Sequence, residues 1–210
     1  MPRPVLFVLA GVNGAGKSSI GGQLLAQAGL AWFNPDTFAR ELRAATGCAA
    51  DDADAAAWTE SLRRLDQALS QGENHAFETT LGGNTMAGRL QAATQSHDVI
   101  VWFCGLSSPE LHIARVQLRV AAGGHAVPEA LIRQRCRSAL ENLIALMPRL
   151  AQLQIYDNSA TAALGQAVPD PQLLAEMQAG QLVWPTELAS LQATPDWAKP
   201  LLEAALSNQG

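Results

Sequence analysis

The chain has 210 residues, 48% of them hydrophobic and 16% charged, with 14 Lys and Arg against 19 Asp and Glu. Such a length buries the core of one α/β domain with appendages, and the composition excludes a disordered or fibrous chain. A net charge of −5 argues against general affinity for nucleic acid or anionic lipid, so any phosphate-binding charge must be local.

The first predicted element is a strand, Val5–Ala10. It is too short for a secretory leader and feeds straight into Gly11-Val12-Asn13-Gly14-Ala15-Gly16-Lys17-Ser18. G-x-x-x-x-G-K-S between a strand and a helix is the pattern of a phosphate-binding loop. The glycines let successive N–H groups turn inward toward phosphate oxygens, and the following helix adds its positive end. Gly11, Asn13, Gly14, Ala15, Gly16, Lys17, Ser18 and Ser19 are therefore expected to cradle ATP. Lys17 would reach the β- and γ-phosphates and the Ser18 hydroxyl would ligate Mg²⁺. A glycine turn that merely carries Lys-Ser is the plainer alternative. The predicted helix, Lys17–Ala28, contains Ser19-Ile20-Gly21-Gly22-Gln23, an echo of transporter-type ATPases. Inside this helix it cannot clamp a partner's nucleotide.

A second strand, Leu30–Phe33, leads into Asn34-Pro35-Asp36. Proline opens a helix and keeps Asn34 out of it, so Asp36 falls in the first turn of a helix predicted to run to Ala45. That turn faces the crevice beyond the strand ends, where open α/β sheets bind ligands. A carboxylate there caps the helix or accepts the proton of an attacking hydroxyl, and one residue can do both. A helix over Asp54–Ser70 precedes the third strand, His75–Glu78. That strand runs into Thr79-Thr80-Leu81-Gly82-Gly83. Glu78 closes an apolar strand, where a charge needs a partner or a ligand. Glu78 and Thr80 are read as binding an acceptor or a metal; a polar strand-end turn is the alternative.

Helix Asn84–Ser96 precedes the strongest predicted strand, Val99–Gly105. Ser108 then caps a helix, Pro109–Ala122, that carries Arg115 and Arg119 and ends at Gly123-Gly124-His125. The next helix, Pro128–Leu146, bears Arg133, Arg135 and Arg137. Six Lys and Arg residues lie between 115 and 149 around this glycine hinge, the sequence form of a mobile lid over 108–146. A closing lid brings guanidinium groups against the γ-phosphate, although a single arginine is as well read as a solvated helix face. Arg119 and Arg133 bracket the hinge and are the favoured pair; Arg115 lies one turn before Arg119 on the same face. Among the histidines only His125 is placed for ligand contact. His75 and His97 read as structural, and His112 as a helix-surface residue.

The fifth strand, Leu153–Tyr156, ends at Asp157-Asn158. Asn158 is expected at the nucleotide, as a direct contact, a brace for the phosphate loop or an Asx turn. Prolines at 169, 171, 185, 195 and 200 then break the chain into short pieces. Residues 161–210 are read as a tail with two short helices packing on a core of residues 1–160. Cys48, Cys104 and Cys136 show no metal or redox spacing and suit the reduced thiols of a cytoplasmic protein. No run approaches the ~20 apolar residues that cross a bilayer, so no membrane partner is expected.

Together these segments resemble the zeta toxin-like P-loop kinases. The matches are Gly11–Ser18, Asn34-Pro35-Asp36, Phe77-Glu78-Thr79-Thr80-Leu81 and Ser108-Pro109-Glu110-Leu111. Further matches are Arg115-Val116 with Arg119-Val120, Gly123-Gly124-His125-Ala126-Val127-Pro128, and Tyr156-Asp157-Asn158-Ser159. The resemblance covers about residues 5–160, with a weaker echo at Pro195-Asp196-Trp197-Ala198. It implies an α/β P-loop NTPase sandwich of three layers, with a mainly parallel five-stranded sheet and a helical lid. It also implies ATP and Mg²⁺ at the loop, Asp36 as base, Glu78 and Thr80 on the acceptor, and lid arginines on the transferring group. Zeta toxins phosphorylate the 3′-hydroxyl of the amino sugar in UDP-N-acetylglucosamine, and an antitoxin blocks their ATP site. The implied acceptor is that compound or another nucleotide or sugar metabolite, and an antitoxin is an implied partner. Typical members have an acidic residue followed by Gly-Thr where this chain has Glu78-Thr79-Thr80. Its Gly123-Gly124-His125 hinge is closer to that of small-metabolite kinases such as gluconate kinase. An ATP-hydrolysing switch, or an ATP-binding module without an acceptor, is the alternative function.

Overall fold

A computed structural model describes residues 2–18, 21, 31–161 and 169–208. Strands β1 (Val5–Ala10), β2 (His75–Thr79), β3 (Asp98–Gly105), β4 (Gln152–Asp157), β5 (Gln172–Gln178) and β6 (Gln181–Trp184) form one sheet. Their spatial order is β2-β1-β3-β4-β5-β6. The first four run parallel, and β5 and β6 add to the edge antiparallel.

The sheet thus has six strands where the sequence suggested five. Four of the five expected strands are present, and the extra pair comes from the segment read as a tail. Of the segment read as the second strand, Leu30 lies outside the described residues and Phe33 makes only an isolated parallel bridge with Phe77. Most of the helix expected over 17–28 also lies outside them, although Lys17 and Ser18 are helical.

Central strands read as unbroken apolar runs because helices cover a parallel sheet on both faces. Register places Val8 beside Val101 and Phe77, and Phe103 beside Ile155, all at most 1% exposed. Around this sheet lie α1 (Pro35–Thr46), α2 (Ala50–Gln71), α3 (Asn84–Ala93), α4 (Pro109–Ala121) and α5 (Glu129–Leu146). Local chemistry fixes their starts. Asn34 accepts from the Thr37 amide at 3.1 Å with Pro35 in the first turn of α1. Ser108 accepts from the Leu111 amide at 3.2 Å to begin α4.

β1 has β2 on one side and β3 on the other, so the chain crosses over β1 between them. The carboxyl end of β1 is therefore a topological switch point, the usual ligand crevice of such sheets. Gly11–Ser18 leaves the sheet at that end.

The C-terminal segment completes the edge. Ala179 (φ 48°) and Gly180 (φ 77°) form a tight turn with two left-handed residues, matching the twist of β5 and β6. Short α6 (Leu188–Gln192) and α7 (Lys199–Ser207) follow, and α7 packs on α5. The Trp197 ring lies against Gly105 at the end of β3, where an added Cβ would stand 2.2 Å from the indole. Among the described residues no helix is long and apolar enough to cross a membrane.

Candidate active site

The loop after β1 turns inward on its glycines. Gly16 has φ +84°, and a Cβ there would meet the Asn158 amide nitrogen at 2.2 Å. That close approach lets Asn158 Nδ2 donate to the Ala15 carbonyl at 2.9 Å. Buried Cys104 sits under the same carbonyl at 3.0 Å, and desolvation pushes its thiol up to about 12. Asn158, at the end of β4, thus braces the phosphate loop, one of the three roles open to it from sequence. From the other side the His112 Nδ1 lies 2.9 Å from the Asn13 carbonyl. His112 was expected on the helix surface, but it is 4% exposed. Burial lowers its pKa to about 4, so the neutral ring donates Nδ1–H to that carbonyl. The overlooked signal is Val116, four residues on, which puts His112 on the inward stripe of α4.

Lys17 Nζ donates to the Gly11 carbonyl at 2.8 Å, folded back along the loop with which it would hold a phosphate. Ser18 Oγ donates to Glu78 Oε1 at 3.1 Å, and Asn34 Nδ2 donates to Ser18 Oγ at 3.3 Å. Trp32 Nε1 also donates to Glu78 Oε1, at 3.2 Å. Glu78 at the end of β2 is 7% exposed, and these donors offset the cost of burying its carboxylate. A hydroxyl and a carboxylate side by side are hard oxygen donors, the set that suits Mg²⁺. Ser19 lies outside the described residues.

Asp36, in the first turn of α1, receives Arg119 NH1 on Oδ2 at 3.1 Å. Arg119 also reaches the His125 carbonyl at 3.3 Å, while its Nε is buried with no partner among the described residues. His125 pairs through Nε2 with Asp54 of α2 at 3.2 Å. Two cavities, of about 860 and 590 Å³, meet at Asn34, Asp36, Asp54 and His125. The smaller also reaches Lys17, Glu78, Thr80 and Arg135. One wall of it is the turn after β2. There Leu81 holds φ 53°, a left-handed conformation rare for leucine, fixed by Thr79 Oγ1 on its amide and Asn142 Nδ2 on its carbonyl.

Sequence reasoning chose Arg133 as the second lid arginine, and the structure corrects its placement. Arg133 turns outward to an exposed pair with Glu110 at 2.6 Å. Arg135, two residues on and so on the opposite side of α5, donates to Asn13 Oδ1 at 2.8 Å. Burial lowers the pKa of Arg135. Arg115 donates to the Ala160 carbonyl at 3.1 Å, next to the strand end that carries Asn158. The elements thus gather Lys17, Ser18, Asp36, Glu78, Arg119 and Arg135 at one end of the sheet and leave Arg133 outside.

The family model of the AAA domain matches residues 6–141. An uncharacterised protein of Haemophilus influenzae is 29% identical over 69 residues, 32% of this chain and 49% of that protein. The match therefore spans about half the length of that curated relative. The solved AvrRxo1-ORF1:-ORF2 complex with ATP superposes with a TM-score of 0.66 at 15% identity, over 97% of this chain and 64% of that one. The PezAT toxin-antitoxin system of Streptococcus pneumoniae gives 0.57 at 15% identity, over 99% and 86%. Both structural likenesses are of fold.

Proposed function

The chain belongs to the AAA domain family, and from that premise we propose that it is an ATP-dependent kinase for a hydroxyl group of a small molecule. The position of Asp36 carries the reading. It borders both cavities, and the smaller one also reaches Lys17 of the phosphate loop and Arg119 lies 3.1 Å away. In the proposed reaction the acceptor oxygen attacks the γ-phosphorus, its proton passes to the Asp36 carboxylate, and the bond to the departing ADP oxygen breaks. Lys17, Arg119 and Arg135 gather around the negative charge that spreads over the transferring group. Mg²⁺ bound with ATP would add charge neutralisation, with Ser18 as ligand and Glu78 beside it. Asn13, Gly14, Ala15 and Gly16 offer backbone groups to the phosphates, and Arg115 and Asn158 support the loop from the β4 side. Thr80 and His125 face the acceptor.

Residues 108–146 serve in this reading as a lid hinged at Gly123-Gly124, on a core of 1–160 whose sheet is extended at one edge by residues 172–184 of the C-terminal segment. The zeta toxin-like motifs make UDP-N-acetylglucosamine one candidate acceptor among nucleotide and sugar metabolites. The fold shared with a toxin-antitoxin system extends the reading to an antitoxin partner. The acidic balance supports a cytoplasmic enzyme with no nucleic-acid partner.

The test is incubation with ATP and a panel of sugars, nucleosides, nucleotides and nucleotide sugars, with phosphorylated product sought by mass spectrometry. Asp36→Asn should bind ATP normally and form no product. Full transfer by Asp36→Asn would remove Asp36 as the base. Phosphate released only to water, whatever acceptor is added, would remove the kinase reading.

A further inference from the structure

The smaller cavity has an uneven distribution of charge. Its lysine and arginine, Lys17 and Arg135, are both anchored on the phosphate loop, through the Gly11 carbonyl at 2.8 Å and Asn13 Oδ1 at 2.8 Å. Away from the loop the described lining offers no lysine or arginine. It offers instead the Asp54–His125 pair, the hydroxyl of Thr80 and the side chain of Trp58, while the buried Ser61 hydroxyl donates to the Ala57 carbonyl at 2.7 Å. Trp58 is 43% exposed, one of six large apolar side chains left open among the described residues. It stands on the same face of α2 as Asp54 and Ser61, at spacings of four and three residues. The arginines of α2 do not line this cavity: Arg63 and Arg64 both bind Glu60, at 2.7 Å each, and Arg64 lies over the Phe33 ring in the adjoining one.

Recognition of a phosphate or carboxylate calls for a cation with matching donors, most often arginine. A second anion placed beside Asp36 and Asp54 would meet repulsion instead. An open indole lining the same cavity as a hydroxyl and a carboxylate suits a different body: a ring with one apolar face and polar edges.

Resting on the kinase reading above, we propose that the acceptor is a hydroxylated ring compound without phosphate or carboxylate, a free sugar, amino sugar or nucleoside. It lies on Trp58 and presents one hydroxyl to Asp36. Its other polar groups meet Thr80 and the Asp54–His125 pair. Arg40, Arg43, Arg64 and Arg119 line the other cavity, across Asp36. A preference for anionic acceptors would place the body of the acceptor there.

The experiment uses matched pairs differing by one anionic group: uridine with UMP, glucosamine with glucosamine 6-phosphate, and N-acetylglucosamine with N-acetylglucosamine 6-phosphate. Transfer from ATP is followed by mass spectrometry, and kcat/KM is measured for each compound that reacts. The member of a reacting pair that lacks the phosphate should be favoured at least tenfold. For that compound Trp58→Ala should raise KM tenfold or more, and Trp58→Phe should restore most of the loss. A faster reaction of the phosphorylated member, or an unchanged KM in Trp58→Ala, overturns this inference and leaves the kinase reading standing. No transfer to any compound, with ATP hydrolysed to water alone, overturns both.

Discussion

Arg119 and Asp36 form an ion pair at 3.1 Å that joins α4 to the first turn of α1 in the lining of the larger cavity, where that cavity meets the smaller one at Asp36. In this arrangement the proposed base is engaged by the residue expected to meet the γ-phosphate. Binding of ATP would draw the guanidinium to the phosphate and free the carboxylate for a proton. Arg119→Ala should therefore lower kcat by about a hundredfold or more, with a smaller effect on the KM for acceptor. Arg119→Lys should recover little, because a point charge cannot span the carboxylate and the His125 carbonyl together. Steady-state kinetics with the best acceptor of the panel checks both variants.

Arg135 and Arg133 lie two residues apart and should behave oppositely. Arg135→Ala removes the donor to Asn13 and a half-buried cation beside the loop, so ATP affinity and kcat should both fall at least tenfold. Arg133→Ala loses only an exposed pair with Glu110 and should leave turnover and Tm unchanged. Calorimetric titration with ATP, alongside turnover, decides between them. Equal losses in the two variants would contradict the placement described here.

His112 gives the fold a pH dependence of definite sign. Its pKa falls from 6.5 to about 4 on burial, so the native state holds the ring neutral where the unfolded chain would protonate it. Its contribution is complete above pH 6.5 and is lost as the pH falls toward 4, by about 3 kcal/mol in all. His112→Asn keeps a donor for the Asn13 carbonyl and cannot titrate. Urea unfolding between pH 8 and pH 4.5 should show a smaller decline in stability for this variant than for the natural chain.

Gly16 and Asn158 are coupled by contact. Gly16→Ala puts a methyl group 2.2 Å from the Asn158 nitrogen at a φ of +84°, so ATP binding should be lost. Asn158→Ala removes only the bond to the Ala15 carbonyl and should weaken ATP binding roughly tenfold, the worth of one hydrogen bond to a buried acceptor. The double variant should not regain normal affinity, because the backbone strain at residue 16 remains. Recovery of wild-type binding would show that collision alone governs the loop.

The phosphate loop and the strands at its side were legible because their signals are local. An apolar run before glycines, or Pro35 after Asn34, carries its meaning within a few residues. The outer strands were not. Gln172-Leu-Leu-Ala-Glu-Met-Gln178 is built largely of helix-favouring residues, and it becomes a strand by pairing with β4, as tertiary context overrides propensity. The Ala179-Gly180 turn between the two Leu-bearing runs was the one local hint. Arg135 was passed over for Arg133 because a helix two residues out of phase presents its other side. Sequence order alone did not fix which side met the loop. Glu78 was read correctly as needing a partner, but Trp32 and Ser18 as those partners depend on the packing of three separate segments.

Trp197 fills the space beside Gly105 that a side chain would otherwise occupy, at the β3 end next to the loop that would hold ATP. Shortening the protein from its C-terminus past this tryptophan would leave a hole under that region, however far the deletion lies from the motif in sequence. Weaker nucleotide affinity in such truncations would then report a lost buttress rather than a lost ligand contact.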